Sequence, residues 1–146
     1  MFTPVYSVKL VRCGTVRYQR TVGNDQSVAV VAREFLSDSV GEKVLVFYLD
    51  GCNKLTGVEV VSQGGLHGAA ILPADVFRGA LLHRAAAIAL AHNHPSGDPE
   101  PSYADVKMTR EVQQAGKMLG IQLLDHVIVT DDKHVSLFDR GLMKEE

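Results

Sequence analysis

The stretch AAIALAHNHPSG, residues 86–97, limits what this chain can fold into more than any other part of it. From Ala86 to Ala91 there is no polar residue, so a strand here has no face that prefers water. Such a strand must be covered on both sides, which calls for a sheet held between helical layers. The apolar run from Ala85 to Ala91 is far shorter than the ~20 residues of a membrane span. It closes on His-Asn-His, and a buried imidazole is costly unless something satisfies it.

The flanking sequence supplies the layers. KVLVFYLD, residues 43–50, is another nearly continuous apolar strand, followed by the turn residues DGCNK and a strand LTGVEVVS that pairs back. In 24–36, Val28, Val31, Ala32 and Phe35 share one helical face behind Asn24 or Asp25 as cap. Pro73 opens a second helix with Val76, Phe77, Ala80 and Leu81 on one side. Ser102 to Leu119 reads as a longer helix with a stripe of Met108, Val112, Ala115 and Leu119, ended by Gly120. IQLLDHVIVT and VSLF finish as strands, while YSVKLVRCGTVRYQRTV near the start holds two β-like runs around Cys13-Gly14. The expected fold is a three-layer α/β/α domain with a central mixed β-sheet over residues 25–146, preceded by an N-terminal β-hairpin extension over 1–24.

A chain of 146 residues with 46% hydrophobic content has the size of one domain. Its net charge of -2 gives no global attraction for phosphate backbones or anionic membranes. Cys13 and Cys52 form neither a ligand pair nor a disulfide framework, as in a reducing cytoplasm. The opening MFTPVYSVKLVRCG alternates polar and apolar residues, unlike a signal peptide, so a cytoplasmic protein without a membrane partner is expected.

His92 and His94 are two residues apart at the carboxyl end of the buried strand, so in extended chain both imidazoles project to the same side. Ligands in open α/β sheets are held at that end of the strands. PSGDPEPSYA is turn-rich enough to fold back and present Asp105 from the first turn of the next helix. Two imidazoles and one carboxylate match a catalytic zinc site, which keeps a fourth position for water and lowers that water's pKa to about 7. A hydrolase also needs a proton acceptor and a donor facing the developing oxyanion, and Ser102, one helical turn from Asp105, is a candidate donor. Ser-x-x-Asp ahead of an apolar stripe is equally a capping box, although Glu or Gln is the usual partner.

His92-x-His94-Pro95 followed by Ser102-x-x-Asp105, with seven residues between His94 and Ser102, resembles the motif of JAB/MPN (JAMM-motif) zinc metalloproteases. HNHPSGDPEPS, LLDHVIV with the following Ser136, and VFYLDGCNKL are similar to the RadC-like bacterial branch of that family, over about residues 25–140. The resemblance implies the family's cytidine-deaminase-like architecture and a Zn2+ ion on His92, His94 and Asp105, with Ser102 polarising the carbonyl or holding the bound water. It also implies a glutamate general base just ahead of the first central strand, which aligns with Glu42. Glu59 is the rival. Peptide or isopeptide bonds are the implied substrates. The helix entry, commonly His-Pro-Arg in that branch, is Leu72-Pro73-Ala74 here, which removes any substrate contact made by the basic pair.

Asp125-His126 lies mid-strand, where it either orients a zinc ligand from behind or is a structural pair. Lys9, Arg12, Arg17 and Arg20 precede any acidic residue and fit either nucleic acid or an exposed edge guarded against aggregation. The alternative to a peptidase is therefore a non-catalytic or nuclease-like DNA-associated module. A nucleobase deaminase would need His-x-Glu and Pro-Cys-x-x-Cys, and the chain carries neither.

Overall fold

The structure, a computed structural model, describes residues 1–15, 22–36, 39–63 and 71–143. In chain order the elements are α1 (Asp25–Leu36), β1 (Lys43–Leu49), β2 (Leu55–Gln63), α2 (Pro73–Leu82), β3 (Ala87–Asn93), α3 (Tyr103–Leu119), β4 (Gln122–Val129) and β5 (His134–Ser136). The five strands form one mixed sheet in the order β2-β1-β3-β4-β5, in which only β3 and β4 run parallel. The expected mixed sheet between helical layers is what forms.

Strand alternation divides the core in two. Leu45, Phe47 and Leu49 of β1 and Ala87, Ala89 and Ala91 of β3 pack on one face with Val28, Ala29, Val31 and Ala32 of α1. The alanines at every second place of β3 let α1 approach the sheet closely. On the other face, Val44, Val46 and Tyr48 of β1 and Ile88 and Leu90 of β3 pack under Val76, Phe77 and Ala80 of α2 and Val112 of α3. All seven residues of β3 are buried, as its unbroken apolar sequence demands.

Local chemistry sets the helix limits. Asn24 caps α1, its Oδ1 accepting from Ser27 N–H at 3.0 Å. Asp25 instead meets His134 Nε2 at 2.7 Å, joining α1 to β5. Gly120 ends α3 with φ 71°, the left-handed conformation that glycine adopts without strain. Helix faces differ from expectation at their ends. Leu36 rather than Phe35 is buried in α1, and Leu81 and Leu119 lie on exposed flanks, because the sheet covers only the middle of each stripe.

Residues 1–15 take no helix or strand and are exposed, so the first run of the expected hairpin is not a strand. A two-stranded ribbon gains little stability without a third strand or a helix to pack on. Its second run falls largely at 16–21, outside the described residues. Val22 is buried, and its N–H donates to Asn53 O at 3.1 Å.

One tight contact returns the chain from α3 to the sheet. Gly116 lies so close to Ile121 that a Cβ there would strike the Ile121 carbonyl oxygen, and the Ile121 N–H donates to Gly116 O at 2.9 Å. The obstacle is backbone, which cannot rotate aside. Gly116→Ala should therefore lower stability by roughly 1–3 kcal/mol, although alanine is the better helix former by about 1 kcal/mol. Urea unfolding checks this, and a variant as stable as the parent would show that α3 can shift freely on the sheet.

Candidate metal centre

β3 carries His92 to its buried end, and the extended path continues one residue further, where His94 N–H donates to Val129 O of β4 at 3.0 Å. Both imidazoles then share a side, as the spacing requires. Their Nε2 atoms lie 2.9 Å apart, and His94 Nδ1 is 2.9 Å from the Asp98 carbonyl oxygen. That oxygen only accepts, so a proton resides on His94 Nδ1 and its Nε2 faces inward.

Asp105 arrives from the first turn of α3. Its Oδ1 lies 3.3 Å from His92 Nε2, and its Oδ2 lies 3.3 Å from His94 Nε2. The helix start is held by a full capping box: Ser102 N–H donates to Asp105 Oδ2 at 2.8 Å and Ser102 Oγ accepts from Asp105 N–H at 3.1 Å. Asp105 is thus both cap partner and third member of the cluster.

One atom from each of His92, His94 and Asp105 lies within 4.8 Å of the others, a set able to hold a metal ion. Tetrahedral ligands at roughly 2.0–2.1 Å from zinc stand about 3.3–3.4 Å apart. The two nitrogen–oxygen separations of 3.3 Å meet that spacing, and the 2.9 Å between nitrogens needs only a slight opening. Among the described residues no fourth His, Cys or carboxylate joins the three.

The cluster's electrostatics suit a cation. Burial alone would raise the Asp105 carboxyl, but the His92 and His94 imidazoles and the Ser102 N–H outweigh it and hold it far below the usual range. The Asp105 carboxylate raises His94 in return, against the opposing effect of burial, and Glu42 adds to that field. The pocket therefore favours positive charge.

Glu42 owes its position to register. Val44 pairs with His92 at the end of the antiparallel β1–β3 ladder, and Glu42, just ahead of β1, is near enough for its charge to act on His94. Asn93, between the histidines and on the other face of β3, fixes that approach: its Oδ1 accepts from Lys43 N–H at 2.8 Å and its Nδ2 donates to Gly41 O at 3.1 Å. Glu59 is elsewhere. It sits on β2 opposite Val46, with β1 between it and β3, and its Oε2 accepts from Tyr48 O–H at 2.7 Å.

His126 stands directly behind His92, its Nε2 2.7 Å from His92 Nδ1. Asp125 is not part of the cluster, because its carboxylate accepts from Ser136 Oγ at 2.7 Å and Phe138 N–H at 3.1 Å and so braces β4 against β5. Adjacent strand residues face opposite ways, so the pair could not both serve one site. Thr109 and Asn93 contribute contacts that the sequence reading missed. Only the placement of a hydroxyl one turn after Asp105 and an amide between two candidate ligands could have signalled them. Lys9 and Arg12 are exposed, while Arg17 and Arg20 lie outside the described residues.

The sheet and its helices are consistent with a JAB-type domain. The chain belongs to the RadC-like JAB domain family, which its residues 22–142 match. It is similar to a UPF0758 protein of Methanosarcina mazei, 38% identical over 126 residues that make up 86% of this chain and 55% of the relative. A UPF0758 protein of Stenotrophomonas maltophilia is 40% identical over 129 residues, 88% of this chain and 55% of the relative. One from Carboxydothermus hydrogenoformans is 46% identical over 96 residues, 66% of this chain and 42% of the relative. The chain thus spans about half the length of the curated relatives it matches.

Asn93→Ala removes both side-chain bonds to the segment carrying Glu42 while leaving the histidines in place. It should cost roughly 1–3 kcal/mol by stranding a part-buried N–H and carbonyl. Amide exchange at Lys43 should also accelerate. Unchanged exchange there would mean that the segment is held by something other than Asn93.

Proposed function

We propose that this chain is a zinc-dependent hydrolase of amide bonds, a metallopeptidase or isopeptidase, in which His92, His94 and Asp105 hold Zn2+ and Glu42 is the general base. The convergence of three ligand atoms, with the charge of Glu42 acting on His94 from the segment that leads into β1, carries this reading. Zinc on three protein ligands supplies a Lewis acid and water acidified to a pKa of about 7. Glu42 takes the proton of the attacking water and delivers it to the leaving amine, which suits a carboxylate that is beside the ligand set without belonging to it. Ser102 Oγ accepts the Asp105 N–H, so its hydroxyl proton is not spent in that bond and serves to steady the oxyanion.

His92 is only 2% exposed, which gives the site a dry floor where such contacts are stronger than in water. A cleft of about 200 Å³ lies on the α1 side of the sheet, lined by Arg33, Leu36 and Asn93 among others, and reaches the ligand set through His94. No helix among the described residues is long and apolar enough to cross a membrane.

Metal analysis and a peptide-library digest test the proposal together. The purified protein should carry about one zinc per chain, and Asp105→Asn should lose it while α3 stays capped, because Ser102 remains the cap and the Asn amide oxygen can still accept the Ser102 N–H. Glu42→Gln should keep the zinc and abolish cleavage, a loss of at least ~100-fold. Normal cleavage by Glu42→Gln removes Glu42 from the mechanism, and a parent protein without zinc removes the metal reading itself.

A further inference from the structure

His92 has two ring nitrogens, and a metal can use Nε2 only if its proton is on Nδ1. The contacts behind the ring determine which nitrogen holds it. Thr109 Oγ1 lies 2.6 Å from the main-chain carbonyl oxygen of Asp105, one turn back along α3, and 2.6 Å from His126 Nδ1. A carbonyl has no proton to give, so the Thr109 hydroxyl donates to it. Its single proton is then spent, and Thr109 Oγ1 must accept from His126 Nδ1–H.

His126 is completely buried, and its two ring nitrogens face His92 and the Thr109 hydroxyl rather than a carboxylate that could balance a charge, so the ring is neutral. A neutral ring protonated at Nδ1 has a lone pair at Nε2. That lone pair, 2.7 Å from His92 Nδ1, accepts the His92 proton. His92 Nε2 is left bare, facing His94 and Asp105.

We propose that Thr109 and His126 are positioning residues of the metal centre: the Thr109 hydroxyl, anchored on the main chain of Asp105, sets the tautomer of His92 through His126 and so primes its Nε2 to bind an ion. This rests on the metal-site reading above. The chain of bonds starts on the backbone of one ligand and ends on the ring of another, so it ties the start of α3 to the end of β3 through β4. A histidine's partner behind a metal site is commonly a carboxylate or a carbonyl. Here a neutral imidazole does the orienting and adds no second negative charge next to Asp105. A Thr hydroxyl bonded to the carbonyl four residues back is common within helices. What matters here is that this bond consumes the only proton Thr109 could otherwise give to His126.

Thr109→Val tests the relay, because valine keeps the shape and removes the oxygen. His126 Nδ1–H then has no acceptor, and the ring is expected to move its proton to Nε2 and donate to His92 Nδ1. His92 would in turn carry a proton on Nε2, facing the ligands, which an incoming ion must displace. Two measurements apply: histidine tautomers by 15N–1H correlation in zinc-free protein above roughly pH 8, where ordinary imidazoles are neutral, and zinc affinity by chelator competition.

The wild type should show His92 protonated on Nδ1. Thr109→Val should show it on Nε2 and bind zinc about 10–100-fold more weakly, while Thr109→Ser should match the wild type in both. A packing role for Thr109 orders the variants the other way, since valine preserves volume and serine loses a methyl group. Wild-type His92 protonated on Nε2, or Thr109→Val with unchanged tautomer and affinity, overturns the relay, and the wild-type spectrum decides the matter even if the valine variant does not fold. A wild type that takes up no zinc overturns the metal reading, while the tautomer measured on that same protein still decides the relay.

Discussion

The antiparallel pairing of β1 with β3 is the interaction on which the rest of the site depends. One ladder sets Val44 against His92 and so brings the segment that leads into β1 toward His94, on which the charge of Glu42 acts, while Glu59 stays on β2 with β1 between it and the histidines. A slip of one residue would turn every side chain to the other face and break the ligand set as well as the core. Register of this kind is strongly specified wherever one face is buried, and here both are: α1 covers the alanine face of β3, and α2 and α3 cover the other. The apolar composition of β3 is therefore as much a requirement of the site as the histidines that end it.

Asn93 shows how the strand's two faces divide the work. The histidines on either side of it turn toward α3 and Asp105, while its amide turns the other way and grips both Gly41 and Lys43. The tripeptide thus handles the metal ligands and the segment bearing the neighbouring carboxylate in one turn of the pleat. An apolar residue at this position would leave the Lys43 N–H and the Gly41 carbonyl to find other partners.

Much of this was legible in the sequence, and the limits have a physical pattern. The central strands, the α3 cap and its glycine stop, and the His-x-His to Ser-x-x-Asp spacing are local signals, and each appears where it was expected. Glu42 came only from the family resemblance, because a glutamate beside a lysine at a strand entry carries no local mark of function. Asn93 and Thr109 were missed because their partners lie 50 and 17 residues away in the chain, on elements whose registration no short window contains. Asp125 was grouped with His126 by adjacency, yet neighbours on a strand face opposite sides, and its carboxylate serves Ser136 instead. The N-terminal hairpin was inferred from alternation alone, a pattern that predicts a strand only where there is a surface to cover, and residues 1–15 have none.

The capping box and the metal ligand looked like competing explanations of Asp105, and the geometry makes them one. Its Oδ2 accepts the Ser102 N–H while also standing 3.3 Å from His94 Nε2, and its carboxylate lies at the positive end of α3. A carboxylate ligand is flexible unless something fixes its χ angles, and the cap does so at no extra cost, since the helix needs that acceptor anyway. The helix terminus supplies a further few tenths to about 1 kcal/mol favouring the charged form, the form a cation requires. Ser102 is constrained by the same cap: accepting from Asp105 N–H fixes its oxygen and leaves its hydroxyl proton unspent in that bond. The Ser102-x-x-Asp105 spacing is thus the spacing of a helix cap, and the candidate metal cluster is built on it.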